Sequence, residues 1–122
     1  MKQETAHLGI KSIIFELGYF RTKVMVPGNI KFRSNPIADY DDVRDGVAQF
    51  VQSMNGNQPG DPKKAVEVML DVVREEGVAQ GKALPERLPL GIDSLAVMRN
   101  KAVGNLVLCN EWEDVIRSTN YD

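Results

Sequence analysis

The chain has one cysteine, Cys109, and one histidine, His7, among its 122 residues. An internal disulfide is therefore excluded, and no zinc site of the usual ligand set can be assembled. Charge of one sign is also lacking: 15 Lys+Arg stand against 17 Asp+Glu, a formal net charge of −2. That balance gives no general basic field for a phosphate backbone, and no run of like charge reads as a nucleic-acid arm. No apolar stretch approaches the ~18 residues of a membrane span, and the opening MKQETAHLG lacks the apolar centre of a secretion signal, so a cytoplasmic location is expected. Repeats and low-complexity segments are absent as well. What remains, 43% apolar and 26% charged residues, is the composition of a folded domain.

Residues 10 to 16, IKSIIFE, form a β-branched and aromatic run that ends at Gly18 and predicts a strand. Because Ile13, Ile14 and Phe15 are consecutive, both faces are expected to be covered, as in a parallel sheet between helices. Upstream, Leu8 and Gly9 read as the end of a helix. Residues 23 to 38 are irregular, with Pro27, Gly28, Asn29, Ser34, Asn35 and Pro36, yet they carry Val24, Met25, Val26, Ile30 and Phe32, which a solvated loop does not need.

From about Asp39 a helix is expected, with Val43, Val47, Phe50, Val51 and Met54 on one stripe and Asn55-Gly56 as its stop. Asp61 reads as an N-cap and Pro62 as the first helical residue of the next, with Val66, Met69, Leu70 and Val73 inward and Gly77 as the stop. Pro85 and Pro89 in LPERLPLG leave room only for a short edge strand around Arg87 to Leu90. Asp93 reads as the cap of a further helix with Leu95, Met98, Ala102, Leu106 and Cys109 inward, and a last amphipathic turn carries Trp112, Val115 and Ile116.

Strand, long excursion with two helices, strand, helix is the order of an α/β parallel-sheet fold joined by a right-handed crossover. Two strands leave the edge at residues 10 to 16 open, and such an edge recruits another chain.

Laid out this way, the chain resembles the C-terminal half of the classical short-chain dehydrogenases/reductases, a Rossmann-fold family of NAD(P)-dependent oxidoreductases. The matching stretches are LGIKSIIFELGYFRT at 8–22, GDPKKAVEVMLDVV at 60–73 and LPERLPLGID at 84–93, and the tail EWEDVIRS is similar to a subgroup frequent in fungi. The resemblance implies one partial domain over 1–122, the C-terminal part of a doubly wound parallel sheet. Its pieces are the sixth strand and cofactor-side turn at 10–22, a substrate lid at 23–60, a helix at 61–77, the seventh strand at 84–93 and C-terminal helices at 94–122. It also implies that the glycine-rich fingerprint and the catalytic Ser and Tyr-x-x-x-Lys precede residue 1, so that this chain alone is expected to be non-catalytic.

The family's Pro-Gly-x-x-x-Thr turn stands here as Leu17-Gly18-Tyr19-Phe20-Arg21-Thr22. Leu17 cannot lock φ as proline does, so a looser turn is expected. In open parallel sheets ligands sit beyond the carboxyl ends of the strands, where Gly18 would let backbone approach a planar ring and Thr22 would offer a hydroxyl to an amide or phosphate. The plainer reading is that Gly18 ends a strand and Thr22 starts a helix. By the resemblance Gly18, Tyr19, Phe20 and Thr22 bind NAD(P), while Val24, Met25, Val26, Phe32, Phe50 and Met54 line the substrate side. Their apolar character favours a hydrophobic organic substrate; for Phe50 and Met54, packing of the lid onto the sheet is an equal reading.

Tyr19 and Lys23 spell Tyr-x-x-x-Lys, but directly after a strand and with Ala6 where the family's serine would fall, so the match is a coincidence. Asp39, Asp41, Asp42 and Asp45 do not form a calcium loop, because a loop begun at Asp41 has Val43 third and Gln52 twelfth; they suit a helix start instead. Cys109 reads as a small hydrophobe, His7 as a surface residue, and Trp112 as either a subunit anchor or a core plug. No catalytic residue and no metal ligand is assigned.

Two functions follow. One is a share in NAD(P)-dependent hydride transfer on a carbonyl or alcohol, with a homo-oligomer expected. The other is a non-enzymatic truncated remnant that acts as an interaction or dimerisation partner through the open strand at 10–16.

Overall fold

The structure, a computed structural model, describes residues 6–31 and 37–121. The stretch holding Phe32, Ser34, Asn35 and Pro36 lies outside the described residues. Two strands, β1 (Ile14–Leu17) and β2 (Arg87–Leu90), form a parallel sheet in which Ile14 pairs with Arg87 and Leu17 with Leu90. Between them come helices α1 (Asp41–Met54) and α2 (Pro62–Arg74), and after them α3 (Ile92–Glu111) and α4 (Glu113–Arg117). The chain is thus a mixed α/β structure. Among the described residues no helix is long and apolar enough to cross a membrane.

Strand alternation decides which helix meets which face of the sheet. Phe15 and Leu17 share a face with their partners Leu88 and Leu90, and Ile14 and Glu16 share the other with Arg87 and Pro89. Val68 and Val72 of α2 look onto Leu88 and Leu90 across a cavity of about 280 Å³. On the opposite face Ser94, Val97 and Met98 of α3 line a groove of about 380 Å³ with Glu16 and Arg87. One helix therefore lies on each side of the sheet, as a parallel pair joined by a helical crossover requires. Lys11 pairs with Glu75, tying the end of α2 to the chain ahead of β1, so α2 returns past the sheet before β2 begins.

The second helix starts where Asp61-Pro62 places it. Asp61 Oδ1 accepts from the Lys63 N–H at 2.8 Å, and Pro62 occupies a first-turn position whose missing N–H costs nothing. The stop comes two residues before Gly77, at Glu75, which takes the left-handed conformation at φ 58°. Gly77 instead leaves room for a side chain, since a Cβ there would meet Asp71 Oδ2, which accepts from the Val78 N–H at 3.0 Å.

The buried row of α2 also differs from the expected one. Ala65 and Val72 are buried and Val68 and Met69 half-buried, whereas Val66, Leu70 and Val73 are exposed. Both rows are apolar, so periodicity alone cannot choose between them. The inward row is the one that holds the small Ala65 at the first turn.

The strand is shorter than its apolar run, because pairing begins only at Ile14, whose N–H donates to Glu86 O at 3.0 Å. Nor are both faces covered: Ile14 and Leu17 are each 55% exposed. A single neighbouring strand and the cavity under α2 account for that. Helix α1 follows a 3-10 turn, Ala38–Tyr40, and its stripe is only partly used: Val51 and Met54 are half-buried and Val43, Val47 and Phe50 exposed. At its start Arg44 pairs with Asp41 at 2.6 Å and with Asp45 at 3.0 Å, and the bond to Asp45 leads in holding the guanidinium above its ordinary pKa.

Within α3, Met98 is half-buried, but Leu95, Ala102, Leu106 and Cys109, expected inward, are exposed; towards its C-terminal end this helix outruns the sheet. Twenty residues reach ~30 Å, against ~13 Å for a four-residue strand. Trp112, at the junction with α4, is exposed, and so is His7 beside Gly9, whose φ of 68° ends the 3-10 turn Ala6–Leu8.

Among the described residues the buried apolar ones are Ala65, Val72 and Ala79. The accessible surface is 10402 Å², against about 6,600 Å² for a compact chain of this mass. Replacing Asp61 by Ala is expected to lower stability by about 1 kcal/mol in urea unfolding, and Asp61→Asn by much less, because asparagine retains an acceptor for the Lys63 N–H.

Candidate functional site

The carboxyl ends of β1 and β2 lie side by side, and one carboxylate organises both. The Tyr19 N–H donates to Asp93 Oδ2 at 2.6 Å, and the Gly18 N–H donates to Leu90 O at 2.8 Å. Asp93 does not cap α3; Gly91 precedes that helix without a side-chain cap, and Asp93 reaches from its first turn across to β1. Beside it the Ser94 hydroxyl donates to Glu16 O at 2.7 Å.

Both glycines at this point are dictated by the same carboxylate. A Cβ on Gly18 would stand 2.0 Å from Asp93 Oδ1, and one on Gly91 2.7 Å from the same oxygen. Gly91 also has φ 104°, a conformation that side chains rarely adopt. Asp93 Oδ1 is buried among these backbones with no hydrogen-bond partner among the described residues. The turn that lacks proline at Leu17 is thus fixed by the hydrogen bonds it donates to Leu90 at the end of β2 and to Asp93 in α3.

Beyond Tyr19 the chain docks onto the approach to α2. The Gly60 N–H donates to Tyr19 O at 3.0 Å and the Arg21 N–H to Gly60 O at 2.8 Å, while Phe20 occupies the space a Cβ on Gly60 would need. The Arg21 guanidinium donates twice to Gln58 O, at 3.3 and 3.1 Å. The Gln58 side chain is buried to 1% exposure, with neither amide atom partnered among the described residues. From Gly18 to Thr22 every backbone N–H has an acceptor among the described residues except that of Phe20.

The residues expected at a cofactor edge, Gly18, Tyr19, Phe20 and Thr22, therefore do form one turn beyond β1. Thr22 also starts a short 3-10 helix, Lys23–Met25, by accepting from the Val24 N–H at 3.4 Å. Of the lid residues, Phe50 meets Tyr19 edge-on at 5.6 Å between ring centres, bringing α1 over this turn. Met25 and Met54 are half-buried, Val24 and Val26 exposed, and Phe32 falls outside the described residues. Among the described residues no three His, Cys, Asp or Glu side chains gather as a metal site.

Sequence reasoning missed the tie from Asp93 to Tyr19 and the burial of Gln58. An Asp opening a helix reads first as a cap, and only the pair of glycines ending the two strands hinted at a group needing room. Comparison of the chain with protein-family models, with curated proteins and with solved structures gave no match.

Asp93→Ala and Gly18→Ala are each expected to destabilise by about 1–3 kcal/mol. The double variant should cost clearly less than the two added together, because removing the carboxylate makes room for the new Cβ; additive urea-unfolding energies would contradict the geometry. Gln58→Met, which removes a buried unpaired amide while keeping its length, is expected to leave stability unchanged or raise it by about 1 kcal/mol.

Proposed function

We propose that the chain forms the last two strands, the substrate lid and the C-terminal helices of a Rossmann-like oxidoreductase of the short-chain dehydrogenase/reductase type. Its reaction is NAD(P)-dependent hydride transfer on the carbonyl or alcohol of a hydrophobic organic molecule. The observation that carries this reading is the turn beyond β1. It stands at the carboxyl end of a parallel strand, where open α/β sheets take their ligands, and among its backbone N–H groups that of Phe20 has no acceptor among the described residues.

That donor suits the carboxamide of a nicotinamide ring, with the exposed Thr22 hydroxyl beside it for an amide or phosphate. NAD(P), when bound, supplies the hydride. The chain's own part is to position and to exclude water: Tyr19 and Phe50 close α1 over the turn, and Val24, Met25, Val26 and Met54 offer apolar surface to a substrate. No group in the turn is assigned the proton transfer to the carbonyl oxygen, which the family's Ser and Tyr-x-x-x-Lys would perform.

The open edge of β1, with Ile14 and Leu17 exposed, supports the second reading, a non-enzymatic interaction partner. A chimera separates the two. Residues 8–93 replace the matching segment of an active short-chain reductase, and folding, dinucleotide binding and ketone reduction are measured. Dinucleotide-dependent reduction is expected. A chimera that folds and binds dinucleotide yet reduces no ketone would sink the oxidoreductase reading and leave the interaction partner.

A further inference from the structure

Helix α2 and the sheet do not close on each other, and the reason lies in the side chains between them. Val68 and Val72 on the helix stand across a cavity of about 280 Å³ from Leu88 and Leu90 on β2, and its third wall runs from the 3-10 turn Gly77–Ala79 to Pro85. Valine, alanine and proline are too short to fill that gap. The lining is aliphatic with one exception, Lys82, and the cavity opens to solvent where Lys82 and Ala83 are exposed.

The third wall spends its polar groups on itself. The Val78 N–H donates to Asp71 Oδ2 at 3.0 Å, the Ala79 N–H to Glu76 O at 2.9 Å and the Lys82 N–H to Ala79 O at 3.0 Å. The Lys82 ammonium donates to Val78 O at 2.9 Å, which holds it at the wall, and it makes no ion pair with the described residues. Among the described residues no acid lines the cavity. A guest therefore meets aliphatic surface and, at the opening, a single positive charge. Water is a poor occupant of such a space, because it needs two or more polar partners.

We infer that the space between α2 and β2 is a binding site for a medium-chain aliphatic carboxylate, its tail in the cavity and its headgroup on Lys82. A single cation suits a singly charged headgroup better than a phosphate dianion. A methylene needs roughly the 30 Å³ that a liquid water takes, so the cavity suits a tail of about eight to ten carbons. None of the turn residues Gly18 to Thr22 lines this cavity, and the inference is independent of the oxidoreductase reading.

Titration of the 122-residue chain, labelled at its leucine and valine methyl groups, with decanoate up to ~1 mM tests it by NMR. Saturable shifts are expected at Val68, Val72, Leu88 and Leu90, with a Kd on the order of 100 µM. From octanoate to decanoate each added methylene should tighten binding about threefold. Decylamine, which carries the opposite charge, should bind about fivefold more weakly than decanoate, a modest ratio because Lys82 is exposed. Lys82→Glu should reverse that order and Lys82→Arg should keep it, while Val72→Phe, which fills the cavity, should abolish binding of both. Decanoate that shifts none of these methyl groups overturns the inference, and so does a preference for decanoate that Lys82→Glu leaves untouched. Methyl groups that move with protein concentration and not with decanoate overturn it in favour of a second copy covering the cavity. Because Lys82 is exposed, its variants decide the matter even if Val72→Phe does not fold.

Discussion

A single carboxylate joins the two strands where they end. Asp93, carried on the first turn of α3, accepts the Tyr19 N–H and by its bulk forbids a side chain on Gly18 and on Gly91. Three separated stretches, the end of β1, the end of β2 and the start of α3, are thereby brought to one point. The turn beyond β1 then has a fixed direction, which lets it dock on Gly60 and Gln58 and lets Tyr19 receive Phe50 from α1. The same device recurs at smaller scale, where Asp71 accepts the Val78 N–H and occupies the room that Gly77 leaves empty. In both cases a glycine is required by a carboxylate and not by the turn alone.

Away from that point the structure is loosely filled. Helix α2 is separated from Leu88 and Leu90 by a cavity, and α3 covers only part of the opposite face before running past the sheet. The consequence is a chain whose polar connections at the strand ends are well defined while much of its apolar surface is open. Hydrophobic burial here is too small to dominate, so backbone pairing, caps and the Asp93 tie account for more of the order than in a domain with a full core.

The parts legible in the sequence are those governed by local chemistry. Asp61-Pro62 starts α2 because an acceptor and a missing donor suit a helix entrance whatever surrounds it, and Pro89 confines β2 to a short strand for an equally local reason. The turn Gly18–Thr22 was visible as a place beyond a strand. Its fastening was not, because Asp93 lies far along the chain and its position at a helix entrance suggests a cap. Which face of α2 turns inward was hidden for another reason: both its rows are apolar, and only the small Ala65 marks the buried one. Of the inward stripe read into α3 the structure keeps Met98, and the residues beyond it fail because periodicity cannot tell how far a sheet extends beneath a helix.

That Asp93 holds the turn by the Tyr19 N–H is tested most directly by residue-resolved amide hydrogen exchange. Gly18, bonded to Leu90, and Phe20, with no acceptor among the described residues, serve as references on either side. The Tyr19 amide is expected to be protected like that of Gly18, and Asp93→Ala to release it while Gly18 keeps most of its protection. A Tyr19 amide that exchanges as freely as that of Phe20 while Gly18 is protected would contradict the tie.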